Sequence, residues 1–326
     1  MSVIVFAEST EGKFKKSARE AVSYASKIAS NTGKEAIALA LGTIDAAELS
    51  SLGKYGASKV LHVNDPRFDK FDSGAFAKAI TQAVQKTNAE IVVLSFNDNG
   101  KALGPRLSAR LKAGLVPGVI ALPEIENNEF MVKKSVFSGK GFANYVITTP
   151  VKILSLSPNS MPVEQSDRSA AVEPFTVEVT DKDFAVQVVG VEKESQGVPL
   201  PEAEIVVSGG RGLKGPENWG MIEELAKTLG AATACSRAVS DVHWRPHHEH
   251  VGQTGLTIRP NLYIAVGISG AIQHLAGVNG SKYIVVINND PEAPFFKYAD
   301  YGVVGDAFEV VPKLTEALKK YFASNN

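Results

Sequence analysis

The chain has 326 residues, which exceeds the usual size of one domain, so two domains are expected. Apolar residues make up 44% of it and charged residues 21%, which is typical of a globular protein with ample core material. The formal net charge of −1, with no long run of Lys or Arg, argues against a nucleic-acid-binding surface.

Cysteine content and hydropathy indicate which kinds of protein this chain is not. The single Cys235 rules out an internal disulfide framework and is typical of a reducing compartment. No stretch approaches 18 unbroken apolar residues, so no membrane span is expected. The sequence begins directly on a β-rich run, with no signal or transit segment before it. We therefore expect a soluble cytoplasmic α/β protein, or a mitochondrial matrix protein if the source is organellar.

Strands and helices alternate through the first half of the chain. This alternation predicts βαβ units and a parallel sheet, which a β-rich stretch between residues 119 and 156 completes. The predicted strands are 3–7, 36–41, 59–63, 90–96, 131–137, 144–149 and 152–156, and the predicted helices are 14–30, 46–52, 73–87 and 101–113.

A change of composition predicts the domain boundary. Residues 176–191 alternate Val and Phe with charged residues and are β-like, whereas residues 192–201 are polar and rich in Pro and Gly, as linkers are. We predict an N-terminal α/β domain over residues 1–190 and a C-terminal domain over 191–326. The first half has no Gly-rich phosphate loop, and its one histidine, His62, lies inside an apolar strand. We interpret that half as a scaffold and docking domain.

The second half begins with a strand, 203–207, and a glycine-rich turn. Gly210 to Gly215 matches the G-x-G-x-x-G pattern between a strand and a helix, with Arg211 as its charged member. A phosphate-facing turn is one interpretation, and a Gly-rich turn with a solvated Arg is the other. A predicted helix, 217–229, ends at Gly230, and a short strand, 231–235, precedes Ser236 and Arg237.

Four of the six histidines lie between Asp241 and His250. A metal site is one interpretation of this cluster. Pro246, however, breaks any helix that would align His243 with His247, so a polar surface loop is favoured. We predict no metal.

The stretch from Val251 to His274 carries the strongest signal. A strand, 262–266, ends at Gly267, Ser269 is a predicted N-cap, and an apolar helix is predicted to begin at Gly270. Such a corner directs backbone N–H groups and a positive helix end outward, so an anionic group is the expected ligand. A hydrolase elbow at Ser269 is disfavoured, because Ala271 replaces its last glycine and His274 is the only later histidine.

The final strand, 283–287, ends at Asn288, and residues 299–306 end at Asp306 before a C-terminal helix, 311–322. Polar side chains therefore follow several strands of one predicted doubly wound sheet, but no paired carboxylates or obvious nucleophile accompany them. This set favours a large phosphate-bearing cofactor over bond-breaking on a substrate.

The motifs of the second half resemble the electron transfer flavoprotein alpha subunit, in order and over its whole length. They are Ser-Gly-Gly-Arg-Gly-Leu-Lys (208–214), Ser-Arg-Ala (236–238), Val-Gly-Gln-Thr-Gly (251–255), Gly-Ile-Ser-Gly-Ala-Ile-Gln-His-Leu-Ala-Gly (267–277), Ile-Asn-x-Asp-Pro-Glu-Ala-Pro (287–294) and Ala-Asp-Tyr-Gly-Val-Val-Gly-Asp (299–306). His250, where the family usually has Gln, and Ser240, where an apolar residue is common, depart from its pattern.

The resemblance implies an FAD-bound electron carrier rather than an enzyme with a substrate of its own. It implies a heterodimer with a beta subunit that carries AMP, and single electrons passing in fatty-acid β-oxidation from acyl-CoA dehydrogenases to electron transfer flavoprotein-quinone oxidoreductase. The residues that it implies for FAD contact are Arg211, Ser236, Arg237, Val251, Gly252, Gln253, Thr254, Ser269, Gly270, Ala271, Ile272, Gln273, His274, Asn288 and Asp306.

Physical roles follow for some of these residues if flavin is bound. A flavin that accepts one electron gains negative charge, so Arg237, His274 and the helix after Gly270 are expected to supply positive charge. Thr254 is expected to hydrogen-bond the N5 region of the flavin through its hydroxyl. A non-redox nucleotide-binding module using the same edge is the alternative, and a visible absorption spectrum separates the two.

Overall fold

The computed structural model describes residues 2–127, 129–186, 188–191 and 199–325. Of these, residues up to 136 and from 140 to 191 form one compact unit, and residues 137–139 and 199–325 form a second. Most of the predicted linker, residues 192–198, lies outside the described residues. No helix within the described ranges is both long and apolar enough to span a bilayer.

The first unit is an α/β domain. Its strands are β1 (Ser2–Phe6), β2 (Ser9–Thr10), β3 (Lys13–Phe14), β4 (Glu35–Leu41), β5 (Lys59–Val63), β6 (Ala89–Ser95), β7 (Gly114–Val119), β8 (Glu124–Glu126), β9 (Glu129–Val136), β10 (Gly141–Val146), β11 (Lys152–Leu156) and β12 (Ala171–Pro174). Its α-helices are α1 (Lys16–Thr32), α2 (Ala46–Ser50), α3 (Ser73–Thr87) and α4 (Asp98–Leu111), with 3₁₀ turns at Ser51–Tyr55, Pro66–Asp69 and Asp181–Asp183.

Ten of these strands form one sheet in the order β10-β9-β7-β11-β6-β1-β4-β5-β12, with β8 beside β9. The run from β7 to β12 is parallel and β8, β9 and β10 pair antiparallel, so the predicted parallel-sheet domain is confirmed. Helix α1 packs on one face of the sheet, and α3 and α4 pack on the other. Because both faces are covered, β1 is buried at every residue.

The predicted strand over residues 176–191 is wrong for the residues that are described. Among its described residues, that stretch holds only a 3₁₀ turn at Asp181–Asp183. Val177, Val179 and Phe184 pack against the α3 side of the core, whereas its later valines, Val186, Val188, Val189 and Val191, are exposed. Gln82 of α3 accepts from the backbone N–H of Glu178 at 2.8 Å and donates to its carbonyl at 3.1 Å. A side chain thereby makes the hydrogen bonds that a neighbouring strand would otherwise make.

The second unit contains β13 (Ile205–Gly209), β14 (Ala232–Cys235), β15 (Leu262–Val266), β16 (Tyr283–Asn288) and β17 (Tyr301–Val304). Its α-helices are α5 (Gly220–Leu229), α6 (Arg237–Ser240), α7 (Ile272–Val278) and α8 (Ala307–Ser324). Its 3₁₀ turns are Leu200–Glu202, Arg211–Leu213, Pro216–Asn218, His247–Glu249 and Pro294–Tyr298.

All five strands of the second unit run parallel in the order β14-β13-β15-β16-β17. Helices α5 and α8 pack on one face of this sheet, and α7 packs on the other. The predicted doubly wound domain is therefore confirmed. The strand order reverses between β13 and β15, and ligands of such sheets bind at the carboxyl ends of the strands at that point.

Candidate functional site

A cavity of about 490 Å³ opens at the carboxyl ends of β13, β15 and β16 in the second unit. Its volume lies in the range usual for small-molecule and cofactor sites. The lining residues are Arg211, Gly212, Ser236, Arg237, Ala238, His250, Val251, Gly252, Gln253, Thr254, Gly267, Ile268, Ser269, Ala271, Gln273, His274, Asn288 and Asp290. Most of the residues predicted for cofactor contact therefore line one cavity. That they contact a cofactor remains a prediction.

The floor of the cavity is a close crossing of two backbones. The N–H groups of Gly210 and Gly212 donate to the carbonyls of Val266 and Gly267 at 2.9 and 3.0 Å. Gly267 has a φ of +61°, and a Cβ there would lie 2.9 Å from the Cα of Gly212. Only glycine meets both conditions, so backbone rather than a side chain lines the cavity at this crossing.

The corner after β15 differs from its prediction. Helix α7 begins at Ile272 with Ala271 at the N-cap position, so the expected N-cap at Ser269 and helix start at Gly270 are wrong. Gly270 has a φ of +82° and lies against Phe295, whose N–H donates to the Ser269 carbonyl at 3.0 Å. This turn delays the helix, which has only seven residues. A strong positive helix end is therefore not available.

Three predicted residues lie outside the cavity lining. Gly270 packs under the corner, and the side chain of Ile272 is 52% exposed on α7. Asp306 is the N-cap of α8, where its carboxylate accepts from the N–H of Phe308 at 2.9 Å.

The loop from Val251 to Thr254 forms a second wall. The N–H of Gln253 donates to the Gln273 carbonyl at 2.7 Å, and the N–H of Gly252 donates to the Leu256 carbonyl at 3.1 Å. The first bond ties the loop to the start of α7, and the second closes the loop on itself. The Thr254 side chain is exposed on the cavity wall.

The cavity carries charges of both signs. Arg211 and Arg237 contribute cations, and Asp290 contributes a carboxylate. Arg237 is 64% exposed, and its Nε donates to the Asp241 carboxylate at 3.3 Å. Asn288 uses its amide to join two loops, because its Nδ2 donates to the Ile268 carbonyl and its Oδ1 accepts from the N–H of Asp290.

His274 corrects an expectation about charge. It is buried, and burial lowers its pKa to about 4, with His250 acting in the same direction and the Val251 backbone opposing. Burial therefore favours a neutral imidazole near pH 7 and counts against the expectation that His274 supplies positive charge. Its Nε2 lies 2.8 Å from the hydroxyl of buried Tyr263.

The histidine-rich segment is not wholly a surface loop. His243 and His247 are exposed, but His250 is only 2% exposed and lines the cavity. Burial lowers the pKa of His250. Within the described ranges, no group of three or more His, Cys, Asp or Glu side chains could hold a metal ion.

Neither candidate nucleophile is activated. Cys235 is buried in the core, and burial raises its pKa to about 12. Ser269 lines the cavity, but the nearby His274 is engaged with Tyr263.

Sequence reasoning missed several cavity residues: Gly212, Ala238, His250, Gly267, Ile268 and Asp290. Gly212, Ala238, Gly267 and Ile268 stand beside predicted contacts inside the same motifs, so adjacency was a usable signal. His250 immediately precedes Val251, but it belongs to a polar, histidine-rich stretch, so its sequence context did not indicate that it is buried. Tyr263 carried no signal, because an aromatic residue in an apolar strand is ordinary core material.

Comparison with protein families matches both halves of the chain. Residues 3–182 match the model of the electron transfer flavoprotein domain, and residues 199–279 match the electron transfer flavoprotein FAD-binding domain. The chain is 39% identical to the electron transfer flavoprotein subunit alpha of Bacillus subtilis, over 98% of this chain and 97% of that protein.

Two further relatives match over similar lengths. The electron transfer flavoprotein subunit alpha of Thermoanaerobacterium thermosaccharolyticum is 38% identical over 97% of both chains. Protein FixB of Clostridium saccharobutylicum is 34% identical over 99% of this chain and 97% of its own length.

Proposed function

This chain belongs to the electron transfer flavoprotein family as an alpha subunit, and on that premise we propose that it binds FAD in the cavity of the second unit and carries single electrons. The observation that carries the proposal is the position of that cavity. It lies at the strand-order reversal of a parallel sheet, and many of its lining residues fall within the match to the FAD-binding domain.

The residues present fit FAD on physical grounds. Arg211 offers a cation to an anionic pyrophosphate and Arg237 offers one to the flavin ring, and the glycine crossing at Gly212 and Gly267 lets backbone approach the pyrophosphate closely. Two buried ring nitrogens in the cavity wall, Nδ1 of His250 and Nδ1 of His274, make no hydrogen bond of regular geometry within the described residues. Such atoms are suited to a polar ligand.

When bound, FAD would supply the one-electron redox chemistry through its isoalloxazine ring. The chain's residues bind it, exclude water and set the local charge. Arg237 contributes a partly exposed cation, while His274 contributes a neutral, buried polar group. Electron transfer requires no proton donor of tuned pKa, which agrees with a family of redox carriers rather than classical enzymes.

The partner proposals rest on the family. We propose a heterodimer with an electron transfer flavoprotein beta subunit that carries AMP. Exposed apolar side chains in each unit support docking: Phe142 of β10 is 63% exposed and Tyr301 of β17 is 65% exposed. We assign the docking role to residues 1–190 and the cofactor role to residues 191–326.

The proposed electron donors and acceptor also come from the family. We propose acyl-CoA dehydrogenases of fatty-acid β-oxidation as donors, and electron transfer flavoprotein-quinone oxidoreductase as the acceptor. Reduction of the purified protein by an acyl-CoA dehydrogenase with its substrate tests the donor, and a dehydrogenase that acts on another substrate class is the matched comparison.

A visible absorption spectrum tests cofactor binding. The protein purified with its partner should be yellow, with the two absorption bands of an oxidised flavin, and denaturation should release FAD without covalent attachment. A colourless protein, or one that releases FMN or NAD, would refute the proposal.

A further inference from the structure

Tyr263 occupies an unusual position behind the candidate site. It lies on β15, is fully buried, and shares the α7 side of the sheet with Val206 and Ala265. Its hydroxyl lies 2.8 Å from Nε2 of His274, which lines the cavity. A buried tyrosine hydroxyl needs a partner, and His274 is the one that it contacts at this distance in the described chain.

The hydrogen bond admits two arrangements of protons. A neutral imidazole carries one N–H, on Nδ1 or on Nε2, and the second nitrogen is then an acceptor. If Nε2 held the proton it would donate to Tyr263, whose own proton would have to turn elsewhere. Nδ1 would then carry the lone pair.

The surroundings favour the proton on Nδ1. Within the described chain, Nε2 of His274 is the acceptor that lies at hydrogen-bond distance from the Tyr263 hydroxyl, so donation to Nε2 satisfies the hydroxyl proton. Nδ1 of His274 makes no hydrogen bond of regular geometry within the described chain, so a proton there is available to a polar ligand in the cavity that His274 lines. A proton on Nε2 would instead leave the Tyr263 hydroxyl proton without an acceptor of regular geometry among the described residues.

We propose that Tyr263 is a positioning residue that donates to Nε2 of His274 and holds this imidazole as the neutral Nδ1–H tautomer on the cavity wall. The inference rests on the proposed function, because it concerns how His274 meets bound FAD. Phe295 restricts the ring from another side, in an edge-to-face contact with centroids 5.7 Å apart. His274 therefore presents a fixed, uncharged donor rather than a mobile cation.

Charged and titratable groups surround this pair in the described chain. His250 influences His274 and Cys235 influences Tyr263, while Arg211, Arg237 and Asp290 line the same cavity as His274. A cation at His250 or Arg237 disfavours a second positive charge on His274, which acts in the same direction as burial.

Nitrogen NMR of histidine tests the inference directly. The purified heterodimer, labelled with ¹⁵N only in histidine, should show for His274 one protonated and one unprotonated ring nitrogen, with the proton on Nδ1 from pH 8 to pH 5. The His274→Asn variant identifies the signal by its loss. A proton on Nε2, or a doubly protonated ring at pH 7, would overturn the proposal.

The Tyr263→Phe variant removes only the hydroxyl. We expect the single-tautomer pattern to give way to a mixture of both tautomers and the visible bands of the flavin to shift, while Tyr283→Phe, in a half-exposed tyrosine of β16, changes neither. Unchanged His274 nitrogen shifts in Tyr263→Phe would refute the role. If that variant does not fold, the position of the His274 ring proton in the wild-type protein still tests the proposal.

Flavin content is measured separately on the same samples. A protein without flavin fails the proposed function, whereas a flavin-containing protein with a proton on Nε2 of His274 fails only the inference about Tyr263.

Discussion

Arg237 is an exposed cation of the candidate site, and its charge should favour reduction of a bound flavin. A unit charge at 4 Å is worth about 4 kcal/mol at an effective dielectric of 20 and about 1 kcal/mol in water. For one electron this range corresponds to roughly 40 to 170 mV. Since Arg237 is 64% exposed and pairs with Asp241, we expect Arg237→Ala to lower the first reduction potential by an amount near the lower end.

Spectroelectrochemical titration of the purified heterodimer measures this effect. Arg237→Lys is the matched control, because it keeps the charge and should retain most of the potential. Asp241→Asn removes the partner carboxylate and should raise the potential slightly. Equal potentials in wild type and Arg237→Ala would contradict the electrostatic role.

His274 should make stability depend on pH in a predictable direction. Its folded-state pKa is about 4, whereas an exposed histidine titrates near 6.5. As the pH falls below that value, the unfolded chain binds a proton that the folded chain does not, so stability is lost as pH falls toward 4. Between pH 7 and pH 5 we expect the free energy of unfolding to fall by about 2 kcal/mol through this group.

Urea unfolding at the two pH values, compared with His274→Gln, measures the contribution. His243→Asn is the control, since His243 is exposed at a φ of +57°, which Asn tolerates. It should show the same pH dependence as wild type. If the free energy of unfolding fell as much between pH 7 and pH 5 in His274→Gln as in wild type, His274 would not be the group responsible.

At the scale of elements, the crossing of the turn after β13 with the end of β15 should be intolerant of side chains. Gly267→Ala places a Cβ 2.9 Å from the Cα of Gly212 at a φ of +61°. Since both the contact and the conformation are unfavourable, we expect a loss of about 1 to 3 kcal/mol of unfolding free energy and a larger loss of flavin retention.

Gly220→Ala is the matched control for this prediction. Gly220 begins α5, and an added Cβ there meets nothing within 4 Å. Alanine favours a helix by roughly 0.5 to 1 kcal/mol over glycine, so this variant should be neutral or stabilised. Urea unfolding and flavin absorbance of both variants make the comparison, and a Gly267→Ala protein as stable as wild type would contradict it.

At the scale of the whole molecule, the chain should work as half of a heterodimer. The cavity opens along one edge of the second unit, and permanent interfaces commonly bury about 2,000 Å² or more. A partner that binds only the folded state stabilises it by mass action, so we expect co-expression with a beta subunit to raise both thermal stability and flavin content. Size-exclusion chromatography and absorbance measure these quantities. A stable monomer that retains full FAD and accepts electrons unaided would contradict the prediction.

Strands and helices with a regular apolar pattern and clear end signals, such as a capping glycine, could be predicted from sequence because those signals are local. The strands Lys59–Val63, Lys152–Leu156 and Leu262–Val266 and the helix Ser73–Thr87 have the bounds that their patterns predict. Gly230 ends α5 in a left-handed conformation, as a glycine at that position indicates. The resemblance of the motifs also indicated the family and the group of residues around the cavity, and the alternation of strands and helices indicated the two α/β halves.

Where local signals conflict with long-range contacts, only the tertiary structure decided. Strand β7 contains Pro117 and two glycines, so its sequence shows no regular apolar pattern, and its pairing with β11 makes it a strand. Strand β17 is an exposed edge strand without such a pattern, and its pairing with β16 makes it a strand. The delayed start of α7 depends on Phe295, which is distant in sequence. The neutral state of His274 depends on burial, and its orientation depends on Tyr263. Charge state and side-chain orientation are set by the surrounding dielectric and by partners from other strands, which a linear sequence does not contain.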